Sequence, residues 1–276
     1  MFMDRETALL VEGTLVELVG MISDRLEELQ ADGIEQSEEF AEGIISYHNN
    51  SEDYCQAIGV GMEEEISEEM LEDLEQRFIA RSLPARTTIT PFTDPGFARL
   101  LQDRGWRIET WMNVLVCPLD EEEEFEEGEF EADGVEVREI DPEEFGLWAR
   151  TIAEAFTTVE TGAASTPEYY AWFEEFDSAR MYMGYVNGKV AGAGVLVMLD
   201  DVVFLSGAGT LEEFRRKGVQ TVLLRRRMED AIDEGATLAL FLSVPGSPSQ
   251  RNAERLGFEV AYTRVYMKKS LPEREH

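Results

Sequence analysis

The two halves of this chain repeat at one constant offset, and that repeat limits the possible folds more than any other feature. Shifted by 152 residues, Leu101-Gln102-Asp103-Arg104-Gly105-Trp106-Arg107-Ile108 falls on Ala253-Glu254-Arg255-Leu256-Gly257-Phe258-Glu259-Val260, with Gly105 on Gly257. The same shift lays residues 87–95 on 239–247 and the helix-patterned 66–79 on 218–231. Unrelated segments have no reason to share an offset, so three elements in one register argue for a duplicated domain. The 276 residues have room for two domains of ordinary size. The sequence therefore predicts one domain over 1–119, opened by helix-rich residues 5–45, and a second over 135–276.

Residues 120–134 between them read Asp-Glu-Glu-Glu-Glu-Phe-Glu-Glu-Gly-Glu-Phe-Glu-Ala-Asp-Gly, ten acids and no base. A block of like charge repels itself and extends, which suits an acidic linker. The whole chain carries a formal charge of -34, from 58 acids against 24 bases. Residues 1–134 hold 35 acids and 8 bases, and residues 135–276 hold 23 and 16. Such a charge repels a phosphate backbone, so no nucleic-acid partner is expected. A high-salt surrounding would screen the self-repulsion, although glutamate outnumbers aspartate 43 to 15 and does not single that origin out.

An apolar fraction of 43% excludes wholesale disorder. No apolar run approaches the ~20 residues that span a bilayer, and no membrane partner is expected. Asp4, Arg5 and Glu6 break any signal-peptide pattern at the start. Cys55 and Cys117 are too few for a disulfide framework, and His48 and His276 leave little for zinc or a Ser-His-Asp triad. The expectation is a globular, cytoplasmic protein without a metal.

The second half alternates strand and helix patterns. Residues 135–140 alternate as a strand, and 142–156 and 167–176 are helix-like with a proline near each start. Residues 181–186 and 190–198 are strands around Asn187-Gly188, a strong hairpin signal. A third strand over 202–209 leads to a helix from 218 to about 234. A buried strand over 238–244, a short helix over 247–256 and an extended pair over 258–267 follow. Adjacent hairpins exclude a purely parallel sheet. The fold class is α/β (α+β), two tandem domains, each a mixed, mostly antiparallel sheet flanked by helices.

Chemistry concentrates where the third strand meets the long helix. Arg215-Arg216-Lys217-Gly218-Val219-Gln220-Thr221 puts three cations before a helix N-terminus, and Gly218 lets backbone turn tightly or approach a ligand. Free first-turn N–H groups, the helix dipole and the cations all favour an anion such as a pyrophosphate.

The run Val202-Val203-Phe204-Leu205-Ser206-Gly207-Ala208-Gly209-Thr210-Leu211-Glu212-Glu213-Phe214-Arg215-Arg216-Lys217-Gly218-Val219-Gln220 resembles the signature strand, loop and helix start of the GNAT N-acetyltransferase superfamily. Arg215, Lys217 and Gly218 match the family's Arg/Gln-x-x-Gly-x-Gly/Ala loop, while Gln220 replaces its second small residue. The segment from Gly246 through Asn252 to Gly257-Phe258 is similar to the family's later strand–helix unit, so the resemblance covers residues 135–270. It implies that Gly209, Thr210 and Leu211 pair with the pantetheine arm of acetyl-CoA. It also implies that Arg215, Arg216, Lys217, Gly218, Val219, Gln220 and Thr221 hold the pyrophosphate, and that Ser249 and Asn252 bond the arm.

The resemblance implies acetyl transfer from acetyl-CoA to a primary amine of a small molecule or peptide, with an acidic surface favouring cationic acceptors. The catalytic groups are less standard. The family's usual tyrosine position holds Ala253, and the glutamate of its lysine-acetylating branch corresponds to Phe204. Tyr262 or Tyr266 could stand in as the acid. A catalytically silent acyl-CoA sensor or protein-docking module stays open as the alternative. In the first half, the 152-residue shift replaces Arg215, Arg216, Lys217 and Gly218 with Glu63, Glu64, Glu65 and Ile66, so one coenzyme A per chain is expected.

Overall fold

The computed structural model describes residues 4–29, 37–48, 54–119, 132–157 and 165–271. Most of the acidic stretch expected to be a linker, residues 120–131, lies outside the described residues.

The first half runs α1 (Arg5–Leu29), β1 (Ser37–Phe40), β2 (Gly43–Ser46), β3 (Gln56–Ile58), α2 (Glu68–Ala80), β4 (Ala85–Ile89), α3 (Pro95–Asp103) and β5 (Arg107–Pro118). Ala8, Val11, Leu15, Leu18, Val19 and Ile22 recur at three- and four-residue steps and are all buried, which gives α1 one apolar face. Helices α2 and α3 start on their own capping side chains: Ser67 accepts from the Met70 amide and Asp94 from the Phe97 amide.

The second half runs β6 (Val135–Glu139), α4 (Phe145–Thr157), β7 (Ala179–Val186), β8 (Lys189–Leu199), β9 (Val202–Thr210), α5 (Val219–Asp233), β10 (Leu238–Ser243), α6 (Pro248–Arg255) and β11 (Glu259–Lys269). A 3-10 turn, Pro142–Glu144, leads into α4, and the helix-like 167–176 segment is the 3-10 helix Pro167–Glu175. Asn187 and Gly188 both take positive φ, 49° and 74°, as the tight β7–β8 turn requires. The extended pair expected over 258–267 is one long strand, β11. Residues 258–267 contain no glycine, proline, asparagine, aspartate or serine, so the chain has nothing to turn on there.

The repeat is visible in the elements themselves. The 152-residue shift carries the first residue of β5, Arg107, onto the first of β11, Glu259. Helices α3 and α6 end in the same way. Gly105 and Gly257 take φ of 81° and 90°, and the amides of Trp106 and Phe258 reach back to the carbonyls of Leu101 and Ala253 at 2.9 and 3.2 Å. This left-handed glycine cap explains why the Gly-aromatic pair recurs in both halves.

The chain divides into two compact units, and the division does not follow the sequence boundaries at 119 and 135. Unit one is 114–260; unit two is 2–113 together with 261–276. In unit one the strand order is β5 (from Val114), β10, β9, β8, β7, β6. In unit two it is β1, β2, β3, β4, β11 (from Ala261), β5 (to Asn113). Strand β9 pairs β10 in parallel, and β3 pairs β4 in parallel. The pairs β6–β7, β7–β8, β8–β9, β1–β2, β2–β3 and β4–β11 are antiparallel. Each unit is thus a mixed, mostly antiparallel sheet with helices against it, and each takes strand residues from the other half of the sequence. Leu115 and Cys117 of β5 join the unit-one core with Leu223, Met228, Phe241 and Phe258. Met267 of β11 joins the unit-two core with Phe78, Phe97 and Trp106.

Candidate active site

In unit one the sheet opens between β9 and β10. Their parallel pairing covers only Val202–Phe204 against Leu238–Leu240, although the strands run on to Thr210 and Ser243. Beyond Phe204, one side of β9 therefore has no β10 partner in the ladder. A bulge sits at this opening. Ala193 pairs Gly209 and Val195 pairs Ser206, which leaves Gly207 and Ala208 opposite Gly194 alone.

Side chains from two helices hold the bulge. Trp148 of α4 donates its indole N–H to the Gly194 carbonyl at 3.1 Å. Arg227 of α5, only 1% exposed, donates Nη1 to the carbonyls of Val195 (2.7 Å) and Ser206 (3.0 Å), and Nε to Leu223 (3.0 Å). Burial pulls the Arg227 guanidinium down to about 10, still charged at neutral pH, and its hydrogen bonds to backbone oxygens help to answer that charge. A Cβ at position 194 would stand 3.3 Å from that guanidinium, a tight contact that glycine avoids.

The loop after β9 turns sharply into α5. Arg216 and Gly218 take positive φ, 62° and 84°, on either side of Lys217, and α5 begins at Val219 without a side-chain cap. Helix α6, by contrast, is capped by Ser247 accepting from the Gln250 amide. The first-turn N–H groups of α5 are thus left for a ligand. Only glycine suits position 218. Its φ is left-handed, and an added Cβ would sit 2.5 Å from that of Ala132.

Arg216 and Lys217 are exposed at this loop, with the Lys217 ammonium 4.9 Å over the Phe214 ring. Arg215 turns back instead, donating to the carbonyls of Thr210 (3.3 Å) and Ala155 (3.4 Å), and so ties the loop to β9 and α4. Gly209 lets α4 lie flush on the strand, because a Cβ there would stand 2.4 Å from that of Ala155. The Thr210 hydroxyl is buried without a partner among the described residues. Leu211 gives its amide to Ala191 at 2.9 Å. Val219 is buried and Gln220 half-buried. Thr221 donates to the Asn252 side chain at 2.8 Å, joining α5 to α6, while Ser249 is exposed on the first turn of α6.

Residues 137–258 match the model of the acetyltransferase (GNAT) family. This chain carries a GNAT domain. Solved structures similar to the chain include a GCN5-related N-acetyltransferase from Kribbella flavida, 21% identical with a TM-score of 0.56. That likeness covers 73% of this chain and 74% of the other. A GCN5-related N-acetyltransferase from Sphaerobacter thermophilus is 17% identical at a TM-score of 0.57, covering 76% and 67%. A tandem GNAT protein from the clavulanic acid biosynthesis pathway is 12% identical at a TM-score of 0.55, covering 75% and 70%. At these identities the likeness is one of fold. No curated protein matches the sequence.

The candidate acid, Tyr262, is placed outside the compact unit that holds the GNAT domain's opening. Its hydroxyl donates to Glu12 of α1 at 2.7 Å, and Glu12 also meets the buried Arg264 at 3.1 Å. Burial, then the charge and hydrogen bond of Glu12, push the Tyr262 hydroxyl far above the usual tyrosine range. Tyr266 lies beside the Arg264 guanidinium, 5.6 Å from ring centre to carbon. At the family's tyrosine position, Ala253 is fully buried.

Arg227 and Trp148 were not singled out from the sequence. The signal for Arg227 was available: it follows Leu223 by four residues on the buried face of α5, where a charged side chain calls for explanation. Among the described residues no group of histidine, cysteine and acidic side chains could hold a metal, and no helix is long and apolar enough to cross a membrane.

Proposed function

We propose that the GNAT domain binds acetyl-CoA in the opening between β9 and β10 and passes the acetyl group to a primary amine of a small molecule or peptide. The observation that carries this reading is the uncapped start of α5, flanked by exposed Arg216 and Lys217 in a chain of charge -34, at the mouth of a splayed sheet. The pyrophosphate lies on the first-turn amides and the two exposed cations. The pantetheine arm runs along β9 at Gly209 and Thr210, with Thr221 and Asn252 as further polar contacts. Arg215 serves by holding the loop to β9. The neutral amine attacks the thioester carbonyl, the C–S bond breaks, the sulfur leaves as thiolate and takes up a proton, and the amine gives its proton to water. Orientation in the opening supplies much of the rate.

Tyr262 has no part in this scheme, because its hydroxyl is held protonated and donates to Glu12. Tyr262→Phe is expected to lower stability by about 1–3 kcal/mol, as one buried acceptor loses its donor. Turnover should fall by less than the ~100-fold at which general acid effects begin. Thermal melts and steady-state rates on the same variant check both halves of this expectation.

The deciding experiment follows thiol release from acetyl-CoA with a panel of cationic and neutral amines. The transferase reading requires a rate that depends on the acceptor. Binding without any acceptor-dependent release would make the chain a sensor, and no binding would remove the reading altogether.

A further inference from the structure

The first half has its own counterpart of the anion loop. Strand β3 pairs β4 in parallel at Ala57 and Thr87, and the chain then passes through residues 59–67 into α2. This is the place that the loop at 215–218 takes between β9 and α5. Under the 152-residue shift, Phe214, Arg215 and Arg216 fall on Met62, Glu63 and Glu64.

The backbone amides of those three residues all point at one atom. Met62, Glu63 and Glu64 donate to Oε1 of Glu42 at 2.8, 2.8 and 3.1 Å. Three successive N–H groups on a single oxygen form an anion-binding nest. Glu42 is delivered by the tight turn between β1 and β2, where Ala41 takes a φ of 50°. Its other oxygen, Oε2, is buried without a hydrogen-bond partner among the described residues. Burial works to raise the Glu42 carboxyl, but the amides of Glu63, Glu64, Glu42 itself and Met62 outweigh it and hold the group below the usual carboxylate range. The same three residues line a cavity of about 410 Å³ together with Arg5, Glu65 and residues 91–95. Arg5 braces the loop from the other side by donating to the Met62 carbonyl.

We propose that unit two keeps an anion cradle at Met62–Glu64 and that the chain fills it with its own Glu42 carboxylate. The cradle is then a closed joint between the β1–β2 turn and the loop before α2. A small free oxyanion, carboxylate or phosphate, enters it only when the glutamate is removed. This holds whether or not unit one binds acetyl-CoA.

The test uses the full chain, melted in sodium chloride and, at equal ionic strength, in sodium acetate or sodium phosphate. Glu42→Ala is expected to raise the unfolding constant about tenfold, the scale of the charge-assisted bonds that the three amides lose. Acetate or phosphate should restore most of that loss in proportion to the logarithm of concentration, as site binding does, while chloride restores none. The wild-type chain should gain clearly less than the variant from either anion, since any phosphate taken up by the loop before α5 stabilises both chains alike. The proposal is overturned if Glu42→Ala loses no stability, if no anion rescues it, or if the wild type gains as much as the variant. Should Glu42→Ala fail to fold, hydrogen exchange on Glu42→Gln decides. The Met62, Glu63 and Glu64 amides should exchange about tenfold faster than in wild type, and unchanged exchange overturns the proposal.

Discussion

Reversing Arg216 to glutamate should weaken coenzyme A binding at least ~100-fold while the fold stays intact. Arg216 is exposed, so its replacement disturbs no packing, and its left-handed φ of 62° is the one local feature a substitution must tolerate. The change removes an attractive charge from the mouth of the β9–β10 opening and puts a repulsive one beside the first-turn amides of α5. A lost charge-assisted contact is worth ~1.5–3 kcal/mol, and repulsion adds to it; ~2.7 kcal/mol already corresponds to 100-fold. Gly218→Asp should match or exceed this loss, since it adds an anion and a Cβ that Ala132 already blocks. Gly218→Ala, with the Cβ and no charge, separates the two contributions. Calorimetry showing wild-type affinity in folded Arg216→Glu and Gly218→Asp would remove the site from this loop.

What could be read from the sequence was what local chemistry decides. Asn187-Gly188 names its own turn, because that signal acts within a few residues, and the cations before α5 support the proposed anion site on the same local ground. The exchange of strands was not legible. Strands β5 and β11 stand at the same place in each repeat, and an apolar pattern specifies a strand rather than its partner. That is why Tyr262 looked available. Its position in the repeat suggested the second domain, whereas the chain carries residues 261–276 into unit two and gives the hydroxyl to Glu12. Arg227 and Glu42 escaped for a related reason. Each acts on backbone atoms of a segment distant in sequence, the bulge at Gly194 and the loop at Met62–Glu64, and no spacing rule reaches that far.

The duplication carries one further consequence, for cofactor stoichiometry. If unit one binds coenzyme A as proposed, titration should end at one equivalent per chain, because unit two has lost the cations and the glycine of the loop and its amides are already occupied. The three cations of the second repeat are replaced by Glu63, Glu64 and Glu65, all exposed, whose charges meet an incoming pyrophosphate with repulsion. Gly218 is replaced by Ile66, a buried β-branched residue that resists the left-handed backbone of the counterpart loop. Helix α2 is capped by Ser67, whose hydroxyl takes the Met70 amide, so one donor that α5 leaves open is already used. The loop amides themselves hold Glu42. A slip of the alignment does not restore a site, since no base stands anywhere from Glu52 to Gln76. Wild type should therefore bind one coenzyme A, Arg216→Glu should bind none, and Glu42→Ala should still bind one, because opening the nest leaves the repulsion of Glu63–Glu65 in place. Two equivalents in the wild type, or a second equivalent that survives Arg216→Glu, would show that unit two remains a working cofactor site.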